Sequence, residues 1–265
     1  FLDVGQGDAA LLRFPNGKNW MIDAGGLRGS SFDVGEKIIA PALWRSGVYS
    51  LDRLVISHPH VDHFSGAMSL VELFSPRAFV SSGVAPSEED DVLWRELLKL
   101  LLQKHIKQEM IAVPYPSWQE GEISIRLLHP PEYDVRFLDP NEGSLVLSIQ
   151  YQDVRALFMG DGGLLAEAML KKSIDRHDIL KVGHHGSRTS TGWEFLAEVD
   201  PRIAIVSVGA QNRYGLPDEE VLKRLSRHGV EVYRTDQDGA VTITTDGNRI
   251  KSKLSSPSVL IGDLM

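Results

Sequence analysis

Three imidazoles and a carboxylate lie in one short segment, because residues 57–63 read Ser-His-Pro-His-Val-Asp-His. The candidate ligands are His58, His60, Asp62 and His63. Neutral imidazole and carboxylate are the groups that Zn²⁺ and similar divalent ions bind, and a tight turn lets close neighbours face two ions. We therefore expect a two-metal hydrolase. The alternative is a polar loop with surface histidines, which is the usual interpretation of a lone histidine.

Acidic and imidazole side chains also follow three other segments that read as strands. Asp23 follows residues 20–22, Asp161 follows residues 157–160, and His184 and His185 follow residues 179–182. Each has an ordinary alternative, since an Asp before Gly commonly caps a turn or a helix and a His pair can face solvent. Together they predict a binuclear site, in which a bridging carboxylate joins imidazoles from several loops. Asp161 is the bridging candidate.

The elements that must position these groups come in two halves, which alternate strands and helices. The first half begins with a hairpin closed by Asn16-Gly17, and continues with helices over 35–47 and 64–74 and strands over 53–56 and 78–80. An amphipathic helix over 88–107 buries Leu93, Leu97, Leu98, Leu101, Leu102 and Ile106. Strands are then predicted over 110–113, 123–128, 145–151 and 154–159.

The second half alternates helices over 164–172, 193–199 and 219–228 with strands over 179–182, 203–206, 230–233 and 239–244. This order predicts an α/β fold with layered α+β character, an αββα sandwich. We expect one domain over residues 1–250 and a frayed C-terminal tail over 251–265. The start, Phe1-Leu2-Asp3-Val4, reads as the inside of a strand, so we expect a domain excised from a longer protein.

Composition is that of an ordinary globular domain, since the 265 residues are 42% hydrophobic and 24% charged. No apolar run reaches the length of about 18 residues that a membrane-spanning helix needs. The absence of cysteine excludes disulfides and thiolate ligands. A net charge of -8 argues weakly against nucleic acid, because a polyanion would need local basic groups and bound metal to hold it.

Four motifs, together with the order of the candidate ligands, carry a family resemblance. They are Asp-Val-Gly-Gln-Gly-Asp-Ala at 3–9, Ser-Leu-Val-Leu at 144–147, Lys-Val-Gly-His-His-Gly-Ser at 181–187 and Asp-Gln-Asp-Gly-Ala at 236–240. The order of ligands resembles the metallo-β-lactamase fold superfamily over nearly the whole chain. The motifs resemble, more narrowly, the C-terminal domain of the ComEC family of competence proteins.

The superfamily resemblance implies how the metal ligands divide between two ions. His58 and His60 would hold one ion, Asp62 and His63 the second, and Asp161 would lie between them. Either His184 or His185 would join the second ion. These assignments follow from the resemblance and not from spacing.

The narrower resemblance implies a place in the cell and a substrate. The domain would belong to a polytopic inner-membrane channel for DNA uptake in natural transformation, on the extracytoplasmic side, and would degrade the strand that is not imported. Its partners would be DNA, as a single strand or a duplex end, and the other domains of its own membrane channel. This segment itself would not insert into the membrane.

The chain departs from the superfamily pattern at the first ion. Another histidine usually lies between the cluster and the bridging Asp, but only His105 and His129 lie there, and residues 141–144 carry no imidazole. Relatives also often have Asn-Asn where this chain has Asn-Glu at 141–142, and His-Pro-His where it has Leu-Pro-Asp at 216–218. With fewer imidazoles, the expected cofactor is one or two divalent ions, Mn²⁺ in preference to Zn²⁺.

The expected reaction is in-line attack of an activated water on phosphorus. Asp62 or Asp161 would orient the water, and the spare histidine, taken as His184, or Lys181 would protonate the leaving oxygen. Lys181 is equally well explained as an ordinary lysine at a strand end. Two rival functions are a hydrolase of phosphocholine esters or small phosphodiesters, and a catalytically silent module of the channel.

Phosphate binding is expected from the loop after the histidine pair, where Ser187 and Arg188 precede the helix that begins at Trp193. The alternative is a helix cap, in which Ser190 or Thr191 satisfies free amides. Further substrate-binding candidates in loops are Gln6, Asp8, Asp23, Asn212, Arg213 and Tyr214.

Overall fold

Two large β-sheets and one two-stranded sheet organise the chain in the computed structural model, which describes residues 1–26, 32–110, 117–130, 138–171 and 173–255. The first sheet contains, in spatial order, β1 (Ala9–Arg13), β2 (Asn19–Ala24), β3 (Arg53–Ile56), β4 (Ala78–Ser81) and β5 (Lys107–Met110). Strands β2 to β5 are parallel, and β1 runs antiparallel to β2. The predicted hairpin at Asn16-Gly17 is therefore confirmed.

The second sheet has seven strands, and each lies beside the strand that precedes or follows it in the chain. They are β6 (Ser117–Glu120), β7 (Ile123–His129), β8 (Val146–Tyr151), β9 (Val154–Phe158), β10 (Ile179–Lys181), β11 (Ile203–Val206) and β12 (Glu231–Arg234). Strands β6 to β9 pair antiparallel, and β9 to β12 pair parallel. Strands β13 (Val241–Thr245) and β14 (Ile250–Leu254) form the small sheet.

Helices cover the outer face of each large sheet. They are α1 (Ala40–Arg45, after a π-helical turn over Gly35–Ile39), α2 (Val61–Phe64), α3 (Ala67–Phe74), α4 (Asp91–Gln103), α5 (Leu164–Leu170), α6 (Trp193–Val199), α7 (Glu219–Arg227) and α8 (Thr235–Asp238). None of the helices in the described ranges is both long and apolar enough to cross a bilayer.

Three apolar clusters hold the layers together. Trp20 of the first sheet and Ile125 of the second are buried in one cluster between the sheets. Leu70 of α3 lies in a cluster on the outer side of the first sheet, and Leu196 of α6 lies in one on the outer side of the second. The αββα sandwich predicted from the sequence is confirmed, and its four layers follow from burying both faces of both sheets.

The structure differs from the predicted helices in two places. The helix predicted over 64–74 is broken between α2 and α3, where the amide of Gly66 donates to the carbonyl of Ala24 at 2.7 Å. Helix α4 is shorter than 88–107 and buries Trp94 instead of Leu93 and Leu102, both of which are exposed. An indole at position 94 shifts the apolar face by one residue, so that part of the prediction was wrong.

Two boundaries also differ. The predicted tail is wrong for residues 251–254, because Lys251 to Leu254 pair with β13 in strand β14; residues 256–265 lie outside the described part. Strand β5 begins at Lys107, three residues before the strand predicted over 110–113, and it includes Met110; residues 111–113 lie outside the described part.

The parallel arrangement brings the predicted ligands to one edge of the sandwich. Strands β2, β3, β9 and β10 all end there, and their ends carry Asp23, the 57–63 segment, Asp161 and His185. A close backbone contact fixes two of these loops, because a Cβ on Gly25 would lie 1.5 Å from the carbonyl oxygen of Asp62. Only glycine allows that approach.

Candidate metal centre

Four buried side chains converge at this edge. Asp8, His63, Asp161 and His185 each offer one ligand atom, and the four atoms lie within 4.8 Å of one another. They come from four parts of the chain: the residue before β1, helix α2 after β3, the loop after β9 and the turn after β10. We call these four residues the ligand cluster.

Polar atoms of the ligand cluster are left without partners. Oδ1 of Asp8, Nε2 of His63, Oδ1 of Asp161 and Nε2 of His185 are buried and have no hydrogen-bond partner among the described residues. A buried polar group without a partner costs about 1–3 kcal/mol, more if it is charged. Two carboxylates and two imidazoles are a donor set that suits Zn²⁺ or Mn²⁺, so the residues fit a divalent ion.

Hydrogen bonds to the opposite ring nitrogen orient both histidines. Nδ1 of His63 lies 2.9 Å from Oδ2 of Asp23, and Nδ1 of His185 lies 2.9 Å from the carbonyl oxygen of Ser207. A carbonyl can only accept, so His185 carries its proton on Nδ1, and a carboxylate favours the same tautomer in His63. The Nε2 lone pairs of both rings are then available to an ion.

The carboxylates in and around the ligand cluster favour the protonated form of its two histidines. Burial alone would lower the pKa of His185, but Asp161, Asp62 and Asp8 outweigh it and raise the pKa to about 9. Burial would also lower the pKa of His63, but the charges of Asp161 and Asp23 hold it well above its usual value. A cation bound here would replace these protons as the partner of the carboxylates.

Asp161 is the most central of the four residues. Its Oδ1 lies 3.2 Å from Nε2 of His63, and its Oδ2 lies 3.6 Å from Nε2 of His185 and 4.0 Å from Nε2 of His58. Burial would raise the pKa of Asp161, but these imidazoles hold it well below its ordinary range. Its backbone is fixed as well, since its amide donates to Oγ of Ser144 at 3.0 Å.

His58 and His60 lie beside the ligand cluster and contact each other. Nε2 of His58 is 3.0 Å from Nδ1 of His60, and Nδ1 of His58 is 3.1 Å from Oγ of Ser57. Burial, together with the charge of His63, lowers the pKa of His58 well below its usual value. A neutral imidazole is the form that binds metal, but His58 and His60 lie outside the ligand cluster, so an ion held by this pair stays a prediction.

Asp62 lies at the rim of the ligand cluster, where its side chain is 27% exposed and Oδ2 is 3.4 Å from Nε2 of His185. Burial would raise the pKa of Asp62, but the contact with His185 and the charge of His63 lower it. The rim therefore carries a carboxylate that stays ionised and contacts solvent.

The two histidines of the 184–185 pair differ in position. His185 is in the ligand cluster, whereas Nε2 of His184 lies 3.5 Å from Nδ2 of Asn141 and outside it. Both backbones have positive φ, 49° and 51°, which is uncommon for residues other than glycine. His129 donates from Nε2 to the carbonyl of Glu142 at 2.7 Å, as expected of a structural histidine.

Lys181 is buried beneath Asp8. Its Nζ lies 2.7 Å from Oδ2 of Asp8 and donates to the carbonyl of Val182 at 3.0 Å, and its side chain is only 4% exposed. The sequence leaves two interpretations of Lys181, a proton donor to the leaving group and an ordinary lysine at a strand end. The contact with Asp8 instead makes it the counter-ion of a candidate ligand.

Three residues predicted to bind substrate make internal contacts instead. Gln6 is buried and accepts from the amide of Gly209 at 3.2 Å, and Asp23 is buried against His63 and Ser57. Asn212 uses its side chain within its own turn, because it bonds the backbone of Gly209, Tyr214 and Leu216. These contacts give the three residues structural roles, and their predicted contacts with substrate stay predictions.

Ser187 and Arg188 remain near the surface, close to the histidine pair. Oγ of Ser187 lies 3.0 Å from Oγ1 of Thr189, and the side chain of Arg188 is exposed, with Nε 3.2 Å from Oδ2 of Asp218. Arg213 and Tyr214 stack on each other, 5.1 Å apart. These residues remain candidates for contacts with substrate.

Two residues have roles in the structure that the sequence did not predict, Asp8 and Glu167. Asp8 is predicted to bind substrate, but it lies in the ligand cluster. The hairpin could have indicated this position, because β1 begins opposite the end of β2, where Asp23 lies. Glu167 was not considered, yet it accepts hydrogen bonds from the amides of Thr191 and Gly192 at the start of α6. Glu167 therefore takes the capping role predicted for Ser190 or Thr191. It lies 24 residues before Thr191, so the sequence next to the helix does not reveal it.

Comparisons with known proteins agree with this geometry. The family described as the metallo-beta-lactamase superfamily matches residues 2–210. ComE operon protein 3 of Bacillus subtilis is 31% identical in an alignment of 259 positions that covers 91% of this chain and 32% of that protein. Competence protein ComA of Neisseria gonorrhoeae is 28% identical over 95% of this chain and 33% of that protein. The chain thus spans about a third of the length of these relatives.

A solved structure shares the fold at low sequence identity. Zn²⁺-bound PqqB of Methylobacterium extorquens has a TM-score of 0.55 and 15% identity, over 89% of this chain and 86% of that chain. The resemblance to competence proteins that the motifs suggested is confirmed by the curated relatives.

Proposed function

Because the chain belongs to the metallo-β-lactamase superfamily, we propose that it is a metal-dependent hydrolase that cleaves phosphodiester bonds of DNA during DNA uptake. The observation that carries the proposal is the convergence of four buried side chains whose facing atoms have no partner within the described residues. Each of these side chains has one buried atom that makes no hydrogen bond, and four such atoms facing one another are costly to bury unless a cation joins them.

The residues divide between holding an ion and supporting those that do. Asp8, His63, Asp161 and His185 would hold one ion, and His58, His60 and Asp161 would hold a second. With carboxylates as half of the first set, Mn²⁺ is favoured and Zn²⁺ remains possible. A bound divalent ion would supply Lewis-acid polarisation of a phosphoryl oxygen and activation of water.

The chain's own side chains supply the remaining chemistry. Asp62, ionised and partly exposed at the rim, is positioned to accept a hydrogen bond from water and orient it toward phosphorus. His184, partly exposed beside Asn141, is the candidate proton donor to the leaving oxygen. Arg188, exposed on the next loop, can bind a phosphate with its guanidinium.

The cellular setting is proposed from the relatives. Their names connect them with competence, so we propose that this domain is part of a longer inner-membrane DNA-uptake protein and lies on its extracytoplasmic side. There it would degrade the strand that is not imported, and its partners would be DNA and the other domains of the channel. A local cationic centre would offset the repulsion expected from a net charge of -8.

The proposal is tested by hydrolysis of linear DNA by the 265-residue chain with Mn²⁺, Zn²⁺ or Mg²⁺. We expect release of nucleotides with at least one ion, and a loss of at least about a hundredfold in Asp161→Ala and His63→Ala. His105→Ala, an exposed histidine at the end of α4, is the matched control and should keep full activity.

Each other outcome favours a rival function. Hydrolysis of a phosphocholine ester or a small phosphodiester, without hydrolysis of DNA, would favour a small-molecule hydrolase of the same fold. No hydrolysis with any ion would favour a catalytically silent module of the channel. Equal activity of Asp161→Ala and the unsubstituted chain would reject the proposed site.

A further inference from the structure

A partly apolar cavity of about 240 Å³ opens between helices α5 and α6, next to the ligand cluster but separate from it. Leu164 and Trp193 line it, and their exposed fractions are 49% and 47%. About half of the surface of Trp193 is therefore available to a ligand. Nothing in the hydrolytic mechanism uses this surface.

Planar cationic or potentially cationic groups flank the exposed indole. The guanidinium of Arg227 lies 5.8 Å from the centre of the Trp193 ring, and the ring of His228 lies 5.3 Å from it at an angle of 38°. We call the surface formed by Leu164, Trp193, Arg227 and His228 the indole platform.

We propose that the indole platform is a binding subsite that stacks a base of single-stranded DNA beside the bond to be cleaved. The inference rests on the proposed function, because it specifies the substrate of the same site. Every base has a π-face, so stacking on an indole holds a strand without requiring a particular sequence.

The position of the platform relative to the ligand cluster supports this inference. Leu164 is three residues after Asp161, and three residues of extended chain span at most about 10 Å. The loop that follows His185 reaches the same place, because the amide of Leu164 donates to the carbonyl of Thr189 at 2.8 Å. One or two nucleotides of an extended strand would bridge that distance.

Charge also favours a base as the occupant. Carboxylates of Glu167, Glu194 and Glu198 line the cavity, and a phosphate inside it would be repelled. Glu194 is paired with Lys171 at 2.8 Å, and Glu167 accepts from backbone amides. A neutral base can therefore enter while its phosphate stays outside near Arg227.

The test measures binding without cleavage. Fluorescence anisotropy of a fluorescein-labelled, nuclease-resistant phosphorothioate oligothymidylate would be followed in Mn²⁺ with the 265-residue chain, and with Trp193→Ala, Trp193→Phe and Trp44→Ala. Trp44 is the matched control, because it is also exposed, to 40%, but lies on α1 over the other sheet. An abasic strand of the same length is the control for base contacts.

We expect Trp193→Ala to weaken binding of the oligothymidylate about tenfold, because one base–aromatic stack is lost. Trp193→Phe should restore most of the affinity, Trp44→Ala should have no effect, and the abasic strand should bind the unsubstituted chain and Trp193→Ala alike. Because the probe resists hydrolysis, a failure of DNA cleavage would contradict the proposed function without bearing on this result.

Several outcomes would overturn the inference. These are equal affinity of Trp193→Ala and the unsubstituted chain, no measurable binding by the unsubstituted chain, and an equal loss for the abasic strand. The first two would leave the indole platform to a protein partner, such as another domain of the channel. The third would show that Trp193 acts on the strand's backbone and not on its bases.

Discussion

Oδ2 of Asp23 lies 2.9 Å from Nδ1 of His63, and this contact determines which nitrogen of the histidine faces the ligand cluster. Asp23 is itself held in place, since it also accepts from the amide and the hydroxyl of Ser57 at 2.7 and 2.8 Å. Three donors thus converge on one carboxylate. The proton on Nδ1 leaves Nε2 of His63, 3.2 Å from Asp161, as a potential ligand atom.

Replacing Asp23 by Asn should weaken metal binding by about 10–100-fold without removing a ligand. An amide has one acceptor oxygen for the three donors, so His63 loses its preferred tautomer or its orientation. Calorimetric titration with Mn²⁺ measures the effect. Asp153→Asn, in the exposed turn between β8 and β9, is the control and should bind as the unsubstituted chain does. Unchanged affinity in Asp23→Asn would show that the contact does not orient a ligand.

Replacing Lys181 by Met should destabilise the metal-free protein by about 3–5 kcal/mol, because Asp8 would keep a buried charge without its closest counter-ion. Urea unfolding measures the loss. Mn²⁺ should recover part of it, since an ion would supply the missing positive charge. Lys223→Met, which breaks only exposed ion pairs with Glu219 and Glu220, should cost less than about 1 kcal/mol. A loss in Lys181→Met no larger than in this control would contradict the role of Lys181.

Divalent ions should stabilise the folded chain. At a free Mn²⁺ concentration one hundred times Kd, binding adds about 2.7 kcal/mol, which corresponds to a rise in Tm of about 5–10 °C for a domain of this size. Differential scanning calorimetry with and without EDTA measures the shift. Asp161→Asn should lose the response, and an equal shift in that variant would locate the bound ion elsewhere.

Glu167 should make the protein less stable as pH rises from about 4.5 to 7. Burial raises its pKa to about 7, and its charged neighbours Glu142 and Arg224 act in opposite directions. Between those pH values the unfolded chain releases a proton that the folded chain keeps, so the free energy of unfolding falls with pH. The whole effect is at most about 3 kcal/mol.

Glu167→Gln should flatten this pH dependence, which unfolding by urea at several pH values between 4 and 8 would measure. Gln keeps an acceptor for only one of the two backbone amides, so a constant offset in stability is expected as well. Glu198→Gln, exposed on the same helix that Glu167 caps, should keep the slope of the unsubstituted chain. An unchanged slope in Glu167→Gln would assign the pH dependence to other groups.

Candidate ligands that are adjacent in the chain, or that follow the end of a strand, can be predicted from the sequence. His63 and Asp161 are examples, because parallel strands end at one edge of a sheet. The choice between His184 and His185 could not be predicted, since it depends on a backbone with positive φ and on the carbonyl of Ser207, 22 residues further on.

Contacts between distant segments account for the other differences. Lys181 pairs with Asp8, which lies 173 residues earlier in the chain. The side chain of Asn212 bonds the backbone of its own turn, which its position in a loop does not reveal. Among the elements, the break before α3 follows from the hydrogen bond of Gly66 to Ala24 on a neighbouring strand. Helix propensity is a property of a single segment and does not include contacts with other segments.

The most direct test of the central claim is the number of ions bound per chain. Equilibrium dialysis against Mn²⁺, followed by mass-spectrometric metal analysis, would compare the unsubstituted chain with a His63→Ala, Asp161→Ala double variant whose folding is checked by circular dichroism. We predict one or two tightly bound ions in the unsubstituted chain and less than a tenth of that in the folded double variant. The same metal content in both proteins, or none in either, would contradict a metal centre at the ligand cluster.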